Sequence, residues 1–197
     1  MHWTRAPFFL QGSEWEPWLQ HTIGVPRDAT RYDVAQKIWG GTDMMNQLFL
    51  SAGRDARNGW GSTYSDSMDS HRLAYYAATL SDELGEAVWK GIGERYFEGR
   101  HNPEGKPVYL ASHEMLLAVA AEAELDMDEA KRVLASDAYR EDVEASVSAL
   151  KASGINSIPV LIFSVDGVPG ATQRHNGSGN KAAFRAILDS IQTACEA

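Results

Sequence analysis

The chain has 197 residues, 44% hydrophobic and 23% charged, with a formal net charge of −9. That length supports one domain with a sizeable core, and the acidic balance, with no Lys/Arg cluster, argues against a nucleic-acid surface. No stretch approaches the roughly 18 apolar residues of a membrane span, and the single cysteine, Cys195, excludes an intrachain disulfide and fits a reducing compartment, the cytosol.

In chain order, residues 2–9 read as a short strand with Pro7 at an edge position or at its end. The opening Met1-His2-Trp3-Thr4 is too mixed for a signal peptide. Residues 10–31, rich in Gly, Pro, Trp and polar side chains, read as a surface loop. A short helix over 32–39 stops at Gly40-Gly41. Thr42 or Asp43 caps a second helix to about residue 56, with Met44, Met45, Leu48 and Phe49 on one face. Helices follow over 66–78 and 82–97, the second stopped by Gly99. Ser112 caps an Ala/Leu-rich helix over 115–123, and Asp126 to Glu129 form a capping-box pattern for a helix that stops near Ser136. A crossover helix over 138–152 closes at Gly154 in the left-handed region.

Only then comes the segment that says most, Gly154-Ile155-Asn156-Ser157-Ile158-Pro159-Val160-Leu161-Ile162-Phe163. Proline cannot donate to a sheet ladder, so Pro159 belongs at the first residue or the edge of a strand over 160–165. An Ile-Pro bond in so tight an entry is expected to be cis. Asp166-Gly167 is a two-residue hairpin signal, predicting a return strand through Gly170. Gly177-Ser178-Gly179-Asn180 precedes a closing helix over 181–194. The order is strand, large helical block, strand, strand, helix, and it is α/β with a helical insertion over about 32–152.

That order resembles the DsbA family of thioredoxin-fold proteins, within it the FrnE-like and 2-hydroxychromene-2-carboxylate isomerase-like subgroup. Asp66-Ser67-Met68-Asp69-Ser70-His71-Arg72-Leu73 is similar to the family's Asn-Thr/Ser…Ala-His-Arg-Leu helix start, with Asp66 in place of Asn. Glu94-Arg95-Tyr96-Phe97-Glu98-Gly99 is similar to its Tyr-Phe-x-Glu-Gly helix end. Residues 134–139, 154–163 and 177–180 match family segments before the crossover helix, at the proline strand and at the last turn. The resemblance implies one thioredoxin-like α/β domain over 1–197, with thioredoxin elements at about 2–9 and 155–195. It also implies a thiol-disulfide oxidoreductase ancestry. Family members carry a strand and a Cys-x-x-Cys turn, or a serine there in the isomerase and kappa glutathione transferase branches. This sequence opens at what resembles the second strand, so the expectation is an N-terminally truncated, catalytically incomplete oxidoreductase with no catalytic residue of its own. Two alternatives stay open: a redox-inactive module binding peptide or glutathione, and a glutathione-dependent isomerase or transferase relative.

The resemblance places Ile158 and Pro159 at a substrate groove, where Ile158 offers its N–H and C=O to an extended peptide or a glutathione-like thiol. The bland alternative is a rigid strand entry. Ser178 and Gly179 open a helix, either seating a carboxylate or simply capping it. His71, in the first turn of a helix that faces the site by resemblance, either lines the site or packs in the core. Cys195, at a helix end, reads as an inert thiol. The histidines show no metal-ligand spacing. No cofactor is implied beyond glutathione as a ligand, and no membrane or nucleic-acid partner. The sequence leaves the oligomeric state open.

Overall fold

A short polar link of one residue, Ser81, organises the largest part of the molecule. Its N–H closes the end of α3 (Met68–Leu80) onto the Ala77 carbonyl, while its hydroxyl accepts from the Leu84 N–H and starts α4 (Asp82–Glu98). The two helices therefore form a tight antiparallel hairpin. Gly85 lets them close, since a Cβ there would sit 2.9 Å from that of Ala78.

The coordinates are a computed structural model that describes residues 6–7, 17–100, 107–168, 171–177 and 181–196. Besides α3 and α4, the helices are α1 (Arg31–Trp39), α2 (Asp43–Ser51), α5 (His113–Glu122), α6 (Met127–Ala135), α7 (Arg140–Ala152) and α8 (Lys181–Glu196), with strands β1 (Val160–Phe163) and β2 (Gln173–Asn176). The chain divides into two compact units, residues 1–146 and 147–197.

In the first unit the core lies among α3, α4, α5 and α6, built on Leu73, Val88, Ile92, Leu116, Val119 and Val133. Caps predicted from sequence hold two of these helices: Ser112 accepts from Met115 N–H, and Asp126 accepts from the N–H groups of Asp128 and Glu129. Arg72 is buried in this core. Its guanidinium donates to Asp69 at 2.6 Å, to the Ala138 carbonyl at 2.8 Å and to the carbonyls of Val133 and Ser136. One cation thus satisfies the carbonyls at and beyond the end of α6, groups that a helix terminus leaves without intrahelical partners. A second buried arginine, Arg31, lies over the Trp60, Tyr96 and Phe97 rings, 4.6, 5.3 and 4.5 Å from their centroids. It also donates to the carbonyls of Gly59 and Tyr96, and burial holds its pKa below the usual guanidinium range.

In the second unit β1 and β2 are antiparallel, pairing Val160 with Asn176, Leu161 with His175, Ile162 with Arg174 and Phe163 with Gln173. The alternation gives the sheet two unlike faces. Phe163 and His175 meet Phe184 of α8, at ring separations of 6.2 and 5.3 Å, while Ile162 and Arg174 are exposed.

Several boundaries differ from expectation. The helix expected to reach residue 56 ends at Ser51, because Gly53 takes a φ of +72° and the Arg54 N–H turns back to the Phe49 carbonyl. The helix expected from residue 66 begins at Met68, its N–H held by the Asp66 carboxylate. A π-helical turn, Trp18–Ile23, interrupts the expected loop and buries Leu19 with Val25, Ala29 and Val34. The return strand is Gln173–Asn176 rather than a continuation of the Asp166-Gly167 turn: the ladder ends at Phe163, and Val168 and Ala171 donate to successive turns first. The strand expected over 2–9 lies outside the described residues, apart from Ala6 and Pro7.

Candidate substrate-binding site

The site is built from the end of α7. Gly154, at a φ of +80°, turns the chain out of the helix, and Ile155 is buried with its N–H on the Leu150 carbonyl. Three residues later the Ile158-Pro159 peptide bond is cis. The Pro159 carbonyl accepts from Gly177 N–H at 2.8 Å, and strand pairing starts with Val160 opposite Asn176. Ile158 therefore stands two residues before the first ladder pair. It is 53% exposed, and among the described residues no hydrogen bond engages its N–H or C=O.

Arg174 braces this entry, and the sequence reading missed it. From β2 its guanidinium reaches the carbonyls of Gly154 at 3.0 Å and Ser153 at 3.4 Å, and also the Asn176 side chain at 3.0 Å. The residues that leave α7 are thereby tied to the strand that pairs with β1. The only sequence signal was a long cation alternating with His175 in a polar strand, which a search for apolar strands passes over.

His71 belongs to the other unit. Its ring is buried and meets the edge of Trp89 at 5.0 Å, and burial lowers its pKa to about 4. It is a neutral packing group at pH 7. Asp66, which stands where the resemblance expects Asn, caps α3 through Met68 N–H. Ser178 and Gly179 lie outside the described residues. Cys195 is exposed in the last turn of α8. Among the described residues no three His, Cys, Asp or Glu side chains converge where a metal could sit, and no helix is long and apolar enough to cross a membrane.

One further polar chain runs through α3: His113 Nε2 lies 2.8 Å from Asp69, whose other oxygen accepts from Arg72. The geometry joins the start of α5 to the buried Arg72. Its role is to tie helices together.

No protein-family model matches the chain, and no curated protein matches it. Among solved structures it is similar to the crystal structure of a probable DsbA oxidoreductase from Streptomyces coelicolor, at 21% sequence identity and a TM-score of 0.61. The match covers 88% of this chain but 65% of that one, so the chain spans less than two thirds of its neighbour's length. The likeness establishes the fold: a DsbA-like thioredoxin fold with a large helical insertion and a small sheet.

Proposed function

We propose that this chain is a relative of the DsbA-type thiol-disulfide oxidoreductases, of the FrnE-like subgroup, that binds an extended peptide or a glutathione-like thiol at Ile158 and Pro159. The observation that carries the reading is Ile158, an exposed residue at the mouth of β1 whose N–H and C=O lie outside the ladder, in an entry that Arg174 braces at Gly154. An extended ligand laid beside such a residue gains main-chain hydrogen bonds, the mode by which peptides add to a sheet edge. Ser178 and Gly179 lie just before α8 in sequence, with Asn180 between, and the N–H groups opening that helix would take the ligand's carboxylate.

Redox turnover is a separate matter. A dithiol cycle needs an attacking and a resolving sulfur, and this chain supplies one thiol. Cys195 is at the end of α8, where the negative pole of the helix dipole disfavours a thiolate. These 197 residues therefore bind without cycling, because one sulfur that opens a ligand's disulfide, expelling a thiol, has no second sulfur to resolve the mixed disulfide. The lone cysteine suits a reducing, cytosolic setting.

A backbone NMR titration with S-methylglutathione and with an unstructured decapeptide tests the reading. The expected result is saturable shifts at the amides of Ile158, Val160 and Gly177, with insulin reduction no faster than in a Cys195→Ser variant. Shifts confined to other residues, or none at millimolar ligand, would sink it.

A further inference from the structure

We infer that Asn176, the last residue of β2, is a site of spontaneous deamidation, and that its isoaspartate product releases the Gly177 N–H from the Pro159 carbonyl. Asn-Gly occurs twice in the chain, at 58–59 and at 176–177. A glycine after asparagine has no side chain to hinder its nitrogen, which can reach the side-chain amide carbon where the backbone is free to turn. Both asparagines are exposed, but their glycines are held very differently.

Asn58-Gly59 is locked. Gly59 is buried, its N–H donates to the Ala56 carbonyl at 3.0 Å, and its own carbonyl accepts from the buried Arg31 at 3.2 Å. A Cβ on Gly59 would lie 2.0 Å from the Phe97 carbonyl oxygen, and one on Gly99 would lie 2.5 Å from that of Asn58. Both residues of the pair are thus pressed against the end of α4. Turning their peptide towards the Asn58 side chain would break these contacts together.

Asn176-Gly177 stands at the end of the β1–β2 ladder, opposite Val160. Gly177 has a φ of +86°, and among the described residues nothing lies within 4 Å of a Cβ built there. Its N–H donates to the Pro159 carbonyl at 2.8 Å, a bond at a strand end that opens whenever that end frays. The amide is also activated, because Arg174 Nε donates to Asn176 Oδ1 at 3.0 Å. A guanidinium only donates, so the atom facing it is the amide oxygen. The cation draws charge from the carbon to be attacked and stands where an oxyanion would form.

The reaction needs only water and changes no oxidation state. The Gly177 nitrogen gives its proton to solvent base and bonds to Asn176 Cγ. The Cγ–Nδ2 bond breaks, and ammonia leaves with a proton taken back from water. Water then opens the cyclic imide, at Cγ to give aspartate or at the main-chain carbonyl to give isoaspartate. Isoaspartate routes the chain through Cβ and Cγ, and the added methylene moves Gly177 out of register with Pro159. The consequence for ligand binding rests on the reading proposed above, whereas the modification does not.

Ageing the full chain at about pH 8.5 and 37 °C, folded and in concentrated urea, with peptide mapping by mass spectrometry, tests this. Relative to its own rate in urea, Asn58 is expected to be slowed by folding at least tenfold more than Asn176. Equal slowing, or a folded chain that loses Asn58 first, overturns the assignment. In the isoaspartate form, separated by anion exchange, the Gly177 amide is expected to exchange with solvent at least tenfold faster than in the fresh chain. Unchanged protection there overturns the release from Pro159. Neither readout uses a ligand, so a fresh chain that binds nothing sinks the binding reading alone.

Discussion

Arg174, on β2, donates from Nη2 to the carbonyl oxygen of Gly154 at 3.0 Å, and its strand position pairs it with Ile162. One side chain thereby couples the end of α7 to the sheet, with Ile158 and Pro159 held between the two anchored points. Arg174→Met keeps the aliphatic stem and removes every donor. Because the group is exposed, the expected loss of stability is only about 1 kcal/mol. Ligand affinity at Ile158 is expected to fall several-fold, since the entry is no longer pre-organised. Urea unfolding and the glutathione titration, run on the same variant, separate the two effects.

Arg72 has a different weight. It is buried, and four acceptors converge on it from Asp69 and the chain around the end of α6. Lysine cannot reproduce that fork, and the buried Val133 carbonyl would lose its charged donor. Arg72→Lys is expected to cost about 3 kcal/mol or more, in the range for breaking a buried ionic group. Denaturant midpoints at unchanged m-value check it.

His71 makes stability depend on pH. Burial holds its folded pKa at about 4, against 6.5 when unperturbed. Between those values the unfolded chain binds the extra proton, so this contribution rises with pH across the window and is lost as pH falls from 6.5 towards 4. At full extent the shift corresponds to roughly 3 kcal/mol. Thermal unfolding at pH 4.5 and pH 7 should show a smaller difference in His71→Gln than in the wild type. Equal differences would mean that His71 does not titrate as its burial requires.

Gly59 permits a contact that no other residue would allow. A Cβ there would lie 2.0 Å from the Phe97 carbonyl oxygen, in the place where Arg31 also donates to the Gly59 carbonyl. Gly59→Ala must push α4 away from the Arg57–Gly59 turn and disturb the stack over Arg31. A loss of more than about 2 kcal/mol is expected, read as a lowered Tm. Gly61, whose added Cβ meets nothing within 4 Å, is the control.

Local signals made much of this fold legible. α4 could be read because Asp82 opens it and Gly99 ends it in the left-handed region at a φ of +66°. α7 could be read because Gly154 terminates it. β2 could not: Gln173-Arg174-His175-Asn176 has no β-branched residue and alternates by partner, and Phe184 buries one side of it only once α8 is in place. The burial of His71 depends on Trp89, eighteen residues on and on another helix, which no spacing rule in α3 reveals. The role of Arg174 is likewise set by the carbonyls of Ser153 and Gly154, twenty-one and twenty residues before it. Sequence located the Ile158-Pro159 entry, while the brace that fixes it is a tertiary property.

The Ile158 backbone is the proposed point of ligand attachment. Hydrogen exchange of its amide, followed by NMR with and without saturating decapeptide, tests that claim most directly. Rapid exchange is expected in the free chain, as befits a group outside the ladder, with at least tenfold slowing when the peptide is bound. Saturable binding that leaves the Ile158 amide exchanging at its free rate would contradict it.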